Sequence, residues 1–260
     1  RGRRMGGPKA WLEHEGRPFD VFRDWYCRAG VARAAALGAT GLHADELVAP
    51  VLAGLPEDAC LEAALRVEPG LVGPVNVVSV GARGYSVLAR DVNGRATNFE
   101  NEKCSSGTGE TMVKLAARFG LTIEEADRAA FAAVGAIPIS ARCSVFAKSE
   151  LTHFANQGRP ADELLRGYFE SVARYVAALF ARGRVDGPVL FVGGGSRVRA
   201  LVRAFEEIAG CEVIVPARAL VFEALGAAAL AAEQASAEHL APLPADPASF
   251  LRSRAVRFRV

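Results

Sequence analysis

Residues 75–99 read VNVVSVGARGYSVLARDVNGRATNF, and this stretch decides the fold. Residues 75–80 are a β-branched run typical of a buried strand, and residues 85–91 are the next strand. The Asn-Gly pair that begins at Asn93 is a strong hairpin signal, so residues 95–99 should pair back against the second strand. The stretch therefore predicts three consecutive strands joined by tight turns.

Helices and strands alternate after these three strands. A helix is predicted over residues 108–119, and Thr122 caps the next helix, with Glu125 at the capping-box position. The later elements are a helix over 160–182, a strand over 189–192, a helix over 196–209, a strand over 211–215 and a helix over 221–232. Such an order forms right-handed crossovers. We therefore predict an α/β fold with a mixed five-stranded sheet and helices on both faces, the layout of an RNase H-like lobe.

The segment before residue 75 has a weaker pattern. Helices are predicted over 18–28, over 44–49, where Pro50 stops the helix, and over 57–66, followed by a glycine- and proline-rich hinge at 69–74. We predict a partial or degenerate first lobe at 1–74, a second lobe with the cysteine motifs at 75–239 and a loosely held tail at 240–260. Because the chain begins with Arg1 rather than methionine, we expect it to have been cut from a longer protein or processed.

Composition and charge exclude several classes of protein. Of the 260 residues, 51% are hydrophobic and 23% charged, as in a globular enzyme, and the formal charge of +2 does not indicate a nucleic-acid partner. No apolar run approaches the roughly 20 residues that span a bilayer, so no membrane partner is expected. Five cysteines without tight pairing favour a reducing cytoplasm over a disulfide framework.

Two cysteines lie directly before predicted helices. Cys104 lies in NEKCSSGTG (101–109) and Cys143 in ARCSVFAKSE (141–150). The partial positive charge at a helix N-terminus favours the thiolate form that binds metal. The alternative is that both are small buried core residues, which is how we interpret the other three cysteines, Cys27, Cys60 and Cys211.

A glycine turn follows the predicted strand at 189–192. FVGGGSR (191–197) runs from an apolar strand through Gly193, Gly194 and Gly195 into a helix. Missing side chains allow a ligand to approach the backbone there, and open α/β sheets bind nucleotides at such strand ends. The alternative is a tight strand-to-helix turn without a ligand.

The order of NEKCSSGTG, RCSVFAKSE, VGGGSR and EALGAAALA resembles the BadF/BadG/BcrA/BcrD ATPase family over roughly residues 75–235. That family comprises activators of 2-hydroxyacyl-CoA dehydratases and ATPase subunits of benzoyl-CoA reductases, in the actin, sugar kinase and Hsp70 superfamily. The resemblance implies that Cys104 and Cys143 ligate a [4Fe-4S] cluster shared by two subunits, with two thiolates from each. It implies that Lys103 and Arg142 add positive potential near that cluster.

The resemblance also implies ATP and Mg²⁺ as cofactors. Residues Gly193, Gly194 and Gly195 would contact the adenosine, and Gly107 and Gly109 would form a loop near the nucleotide. This chain departs from the family at its phosphate loops: no DxGSTxxK-like turn precedes residue 75, and SVGARGYS (79–86) stands where DIGGQDSK is expected. Ser79 replaces the metal-organising aspartate, and we expect Arg83 to bind a phosphate instead.

Two functions follow from the resemblance. The first is an ATP-dependent iron–sulfur activator, a homodimer or paralogous heterodimer, that passes electrons from a low-potential donor to an iron–sulfur dehydratase or reductase. The second is a non-hydrolysing structural or regulatory lobe of the same fold. A sugar or acetate kinase relative is disfavoured, because such enzymes need the missing phosphate loops. Three residues near the cysteines receive structural interpretations: Glu110 and Glu150 as carboxylates that interact with helix amides, and His153 as a helix-face residue.

Overall fold

The computed structural model describes residues 11–12, 14, 16–101, 108–140, 143–237 and 241–251. In chain order its elements are α1 (Pro18–Ala29), β1 (Gly38–Thr40), β2 (Leu52–Leu55), α2 (Glu57–Val67), β3 (Val75–Val80), β4 (Tyr85–Arg90), β5 (Ala96–Glu100), α3 (Gly109–Ala117), α4 (Ile123–Ala132), α5 (Ser144–Asn156), α6 (Ala161–Gly183), β6 (Val189–Val192), α7 (Arg199–Ala209) and α8 (Phe222–Ala237). None of the described helices is both long and apolar enough to cross a lipid bilayer.

The described residues divide into two compact units. One draws on Arg1–Gly70 and Val221–Val260, and the other is Leu71–Leu220. The division differs from the predicted boundary at 239, because α8 packs against α2 within the first unit. The two helices approach so closely that a Cβ atom on Gly226 would lie 1.7 Å from the carbonyl oxygen of Cys60. The assignment of a degenerate first lobe, a second lobe and a tail stays a prediction.

The first unit contains a small parallel sheet of β1 and β2. Its helix α1 is the predicted amphipathic helix, and buried Tyr26 donates a 2.7 Å hydrogen bond from its hydroxyl to the carbonyl of Pro244. Of the helix predicted over 44–49, the structure contains only a single 3₁₀ turn, Ala44–Glu46, and the rest of the prediction is wrong. Leu47 has already left helical geometry there and adopts extended backbone angles.

The second unit is organised around β3, which is buried along its whole length. The sheet has the order β5-β4-β3-β6, with β3 antiparallel to β4 and parallel to β6. The predicted hairpin is confirmed, since β4 and β5 pair antiparallel across the Asn-Gly turn. The α/β class with a mixed sheet is therefore confirmed.

The fifth strand, predicted over residues 211–215, is wrong. Only Ile214 bridges to the sheet, where its N–H donates to Val189 and its carbonyl accepts from Phe191. The N–H of Val213 donates instead to the Glu206 carboxylate at 2.9 Å. Pro216, two residues beyond the bridge, has no N–H to continue a ladder. The described sheet of this unit therefore has four strands.

The helices of the second unit follow their predicted order. The capping box at the start of α4 is confirmed, because Thr122 and Glu125 exchange both side-chain-to-backbone hydrogen bonds. The long helix α6 buries a stripe with a four-residue period, Leu164, Tyr168, Val172 and Val176. This stripe packs in one core with Val78, Val80 and Val87 of the sheet.

Candidate functional site

Two of the three glycines after β6 are required by packing against β3. Gly193 has φ +81°, and a Cβ atom on it would lie 2.6 Å from the carbonyl oxygen of Val80. A Cβ atom on Gly195 would lie 2.6 Å from the Cβ of Val80. The turn is further tied down by a 2.9 Å hydrogen bond from the N–H of Gly193 to the carbonyl of Ala219. The interpretation as a tight strand-to-helix turn accounts for these two positions.

Gly194 has no such explanation. It is exposed, and a Cβ atom on it would meet no other described atom within 4 Å. Because β3 and β6 are parallel, their carboxyl ends lie at the same edge of the sheet, where open α/β sheets bind nucleotides. Bare backbone at Gly194 therefore fits close approach by a flat ligand such as a nucleoside.

The start of α3 meets the same end of β3. The N–H of Gly109 donates to the carbonyl of Gly81 at 2.9 Å, and the N–H of Glu110 donates to the carbonyl of Ala82 at 3.0 Å. Gly81 itself closes the β3–β4 turn by donating to Gly84. The Gly193–Gly195 turn thus contacts Val80, the last residue of β3, and Gly109 contacts Gly81, the residue directly after it. Gly107, the other predicted loop glycine, lies outside the described residues.

Arg83 lies exposed on the β3–β4 turn, close to the first turn of α3. A 2.6 Å salt bridge from Lys114 and, secondarily, the positive charge of Arg83 lower the pKa of Glu110. The interpretation of Glu110 as a partner of helix amides is therefore wrong, because its carboxylate pairs with Lys114 one turn later. A cation on this turn fits the proposed contact with phosphate.

Cys143 occupies the N-cap position of α5, and its side chain makes no capping hydrogen bond. Its backbone is extended (φ −147°, ψ 134°), its carbonyl accepts the N–H of Ala147 at 2.9 Å, and the residue is half-buried. Cys143 thus lies at the N-terminal end of a 13-residue helix, where the first backbone N–H groups are found. A cysteine at this position could serve as one ligand of an iron–sulfur cluster. A [4Fe-4S] cluster needs three further ligands besides Cys143.

The second predicted ligand, Cys104, lies outside the described residues, as do Lys103 and Arg142. Within the described part of the chain, no group of three or more His, Cys, Asp or Glu side chains could hold a metal ion. The chemistry of Cys143 therefore agrees with a cluster only if Cys104 and further thiolates complete the set.

The remaining cysteines differ from Cys143. Cys60 is buried and Cys211 packs against the main core, and burial raises the pKa of both thiols. Cys27 is exposed, so its interpretation as a core residue is wrong. It follows the buried Tyr26 directly, and one residue further along a helix turns the side chain by about 100° away from the packed face.

Comparison with known proteins identifies the family of the chain. The sequence profile of the BadF/BadG/BcrA/BcrD ATPase family matches residues 35–231. The chain belongs to this family. The match begins about 40 residues before the predicted start at residue 75 and takes in β1 and β2.

Two curated members of the BadF/BadG/BcrA/BcrD family show how far the likeness extends. The chain is 32% identical over 160 residues to the 2-hydroxyisocaproyl-CoA dehydratase activator of Clostridioides difficile, covering 61% of this chain and 60% of that protein. It is 30% identical to the activator of lactoyl-CoA dehydratase from Anaerotignum propionicum, covering 61% and 62%. The chain thus spans about three fifths of the curated relatives it matches.

A solved structure of a family member is similar over more of its length. The activator of the 2-hydroxyisocaproyl-CoA dehydratase from Clostridium difficile with bound ADPNP superposes with a TM-score of 0.75 and 27% identity. The superposition covers 85% of this chain and 82% of that one. The actin/Hsp70-type fold expected for the BadF/BadG/BcrA/BcrD family is therefore confirmed.

In this chain, several contacts around the site link residues that are far apart in sequence. The sequence analysis did not predict them. Buried Asp127 of α4 accepts the N–H of Ala200 at 2.8 Å and also pairs with Arg199, so α4 caps the helix that follows the glycine turn. Glu124 of the same helix pairs with Arg197, which lies within the turn. No local pattern signals such contacts, because the partners are about 70 residues apart.

Glu150 and His153, which both follow Cys143 in α5, also have defined positions. Glu150 accepts the backbone N–H of Ser140 at 2.6 Å, so its interpretation as a partner of helix amides is wrong: Ser140 precedes the helix. His153 lies in the last turn of α5, where its ring contacts Gln157 and Phe154. Ten residues of helix separate it from Cys143, a rise of about 15 Å.

Proposed function

We propose that this chain is an ATP-dependent iron–sulfur electron-transfer activator, or the activator-like part of a longer protein. It would deliver low-potential electrons to a 2-hydroxyacyl-CoA dehydratase or a benzoyl-CoA reductase-type partner. The observation that carries the proposal is Cys143 at the N-terminal end of α5, in the same compact unit as the exposed Gly194 backbone. The names of the family members supply the class of partner.

The metal side of the proposal rests on Cys143 and Cys104. A [4Fe-4S] cluster takes four thiolates, so two chains with two cysteines each would complete it, in a homodimer or with a paralogous subunit. When bound, such a cluster supplies one-electron transfer at low potential. The role of this chain is to hold the Cys143 thiolate at the positive end of α5. A reducing cytoplasm would keep these cysteines as thiols.

The nucleotide side rests on the carboxyl ends of β3 and β6. Backbone at Gly193, Gly194 and Gly195 would lie against the adenosine, with the start of α3 at Gly109, and by extension Gly107, on the phosphate side. Arg83 would form an ion pair with a phosphate. Ser79 offers a hydroxyl where a carboxylate would organise Mg²⁺, so the metal would be carried by the phosphates themselves.

Iron analysis tests the metal side directly. The protein is purified anaerobically, iron and acid-labile sulfide are measured, and EPR spectra are recorded beside Cys104→Ser, Cys143→Ser and the control Cys27→Ser. We expect about four irons per dimer, lost in the first two variants and retained in the control. A well-folded anaerobic protein without iron contradicts the electron-transfer function.

A second function, a non-hydrolysing regulatory lobe, is favoured by one specific observation. The first amides of α3, at Gly109 and Glu110, already donate to the carbonyls of Gly81 and Ala82 and are not available to a phosphate. ATP binding and hydrolysis, measured for the wild type and Arg83→Ala, separate the two functions. Hydrolysis that is lost in the variant supports the activator, whereas binding without turnover supports the regulatory lobe.

A further inference from the structure

We propose that a groove between the end of α3 and the helix α5 binds an acidic segment of a partner protein. The groove has a volume of about 420 Å³ and is lined by Arg118, which follows the last residue of α3, and by side chains of α5. Its cations are Arg118 and Lys148, and its other polar side chains are Ser149, Thr152, His153 and Asn156. The described residues that line it include no carboxylate. The proposal needs neither iron nor nucleotide, so it goes beyond the proposed function.

The part of the groove formed by α5 is a stripe along one face of the helix. It runs from Val145 to Asn156, and successive lining residues recur every three or four positions, the spacing of one helical face. Over this distance the helix rises about 16 Å, the length of about five residues of extended chain. Both cations are exposed, so the groove is open to a partner. Its length therefore matches a peptide segment better than a single small anion.

Arg118 is held against α5 by a short chain of hydrogen bonds. Its Nη2 donates to the hydroxyl of Thr152 at 2.5 Å, and that hydroxyl donates to the carbonyl of Lys148 at 2.7 Å. A guanidinium carries five N–H donors, and the contact with Thr152 uses one of them. The planar group can hold a carboxylate through two parallel N–H bonds. Arg118 is thus fixed in the groove and still has donors for an acidic partner.

The charge of the two groove cations is not neutralised by the helices that carry them. Each of α3 and α5 contains one carboxylate, Glu110 and Glu150 respectively. Glu110 pairs with Lys114 at 2.6 Å, and Glu150 accepts a backbone N–H from the segment before α5. Within the described part of the chain, neither groove cation forms an ion pair. The groove therefore presents positive charge that carboxylates of a partner would complement.

The remaining lining suits a hydrophilic segment. The exposed side chains of Ser149 and Asn156 add hydrogen-bond donors beside the cations. Val145 is the one apolar side chain among the described residues of the lining, so an apolar helix face would find little to cover there. Because the surface is small and its charges are exposed, we expect weak binding that falls as the salt concentration rises.

A synthetic peptide tests the proposal. Fluorescently labelled hexaglutamate is titrated with iron-free protein at low salt, and its anisotropy gives the Kd. We expect Arg118→Gln and Lys148→Gln each to raise the Kd about threefold, the effect of losing one exposed ion pair. The matched control Arg95→Gln removes the same charge from an exposed position in the turn between β4 and β5 and should leave the Kd unchanged. Hexaglutamine should not bind.

NMR locates the bound peptide. Hexaglutamate should shift the backbone amides of α5 between Val145 and Asn156 and leave those of the turn between β4 and β5 in place. Shifts in α5 that depend on protein concentration alone would assign the groove to contact between two copies of the chain and overturn the proposal.

Three further results would overturn it. A Kd that is unchanged in both groove variants removes the site, and an equal rise in Arg95→Gln shows a response to net charge alone. Inorganic phosphate that binds the groove as tightly as hexaglutamate makes it a site for small anions. Because every arm uses iron-free protein without nucleotide, the groove can fail while Cys143→Ser still loses the cluster, and the reverse outcome is equally visible.

Discussion

Gly195 and Val80 pack without room for a single methyl group, since a Cβ atom on Gly195 would lie 2.6 Å from the Cβ of Val80. Carbon atoms in contact are normally separated by roughly 3.5–4.0 Å. Gly194, one residue earlier, faces open space. The two neighbouring glycines are therefore explained differently. Close packing requires glycine at position 195, whereas at position 194 the missing side chain leaves the backbone accessible.

Alanine at each position separates these causes. Gly195→Ala should lower the free energy of unfolding by about 2 kcal/mol, because β3 or the turn must move to admit the methyl group. Gly194→Ala should change it by less than about 0.5 kcal/mol while weakening ATP binding. Urea unfolding and nucleotide titration measure both. Unchanged ATP affinity in Gly194→Ala would remove the adenosine contact from the proposed site.

Asp127 should stabilise the start of α7 from a distance. Asp127→Ala leaves the N–H of Ala200 without its acceptor, and we expect a loss of about 2 kcal/mol in the free energy of unfolding. Asp127→Asn should lose less, since its side-chain oxygen can still accept that N–H. The matched control is Glu124→Ala on the same helix, whose exposed ion pair should contribute less than about 1 kcal/mol. Equal losses for the two alanine variants would contradict this account.

The side chain of Asn76 should hold in place the segment around Val185, which leads into β6. It is fully buried in β3, where its amide donates to the carbonyl of Val185 at 2.9 Å and accepts the N–H of Val185 at 3.0 Å. Asn76→Leu should therefore lower the free energy of unfolding by about 2 kcal/mol and accelerate hydrogen exchange at Val185. Asn156→Leu, at an exposed position at the end of α5, serves as the control. Wild-type exchange at Val185 in Asn76→Leu would count against the role.

The titration of Glu110 should report which cation lies nearest to it. Lys114 first, and then Arg83, lower the pKa of Glu110 below its ordinary value of 4.5. A lowered folded-state pKa stabilises the fold above the ordinary pKa, and this contribution is lost as the pH falls through the folded-state value.

Lys114→Ala should therefore raise the pKa of Glu110 toward 4.5, and Arg83→Ala should raise it by a smaller amount. NMR titration of the Glu110 carboxyl carbon measures both changes. A larger effect of Arg83→Ala would show that Arg83, rather than Lys114, is the main partner.

The local patterns of this sequence determined most of the secondary structure. The Asn-Gly turn after β4 and the capping box at Thr122 are short-range signals, and each has its expected structure. The position of Cys143 at a helix start belongs to the same class, because a cap depends only on the residues beside it. The glycine turn was equally visible, and so was the family.

Only the tertiary structure decided which neighbours these elements have. The segment at 211–215 is apolar enough for a strand, but Glu206 takes the N–H of Val213 and leaves a single bridge. The contact from Glu150 to Ser140 depends on where the chain returns in space, as does the packing of Gly195 on Val80. Such contacts are specific in three dimensions and leave no periodic signal along the chain, because their partners are chosen by packing.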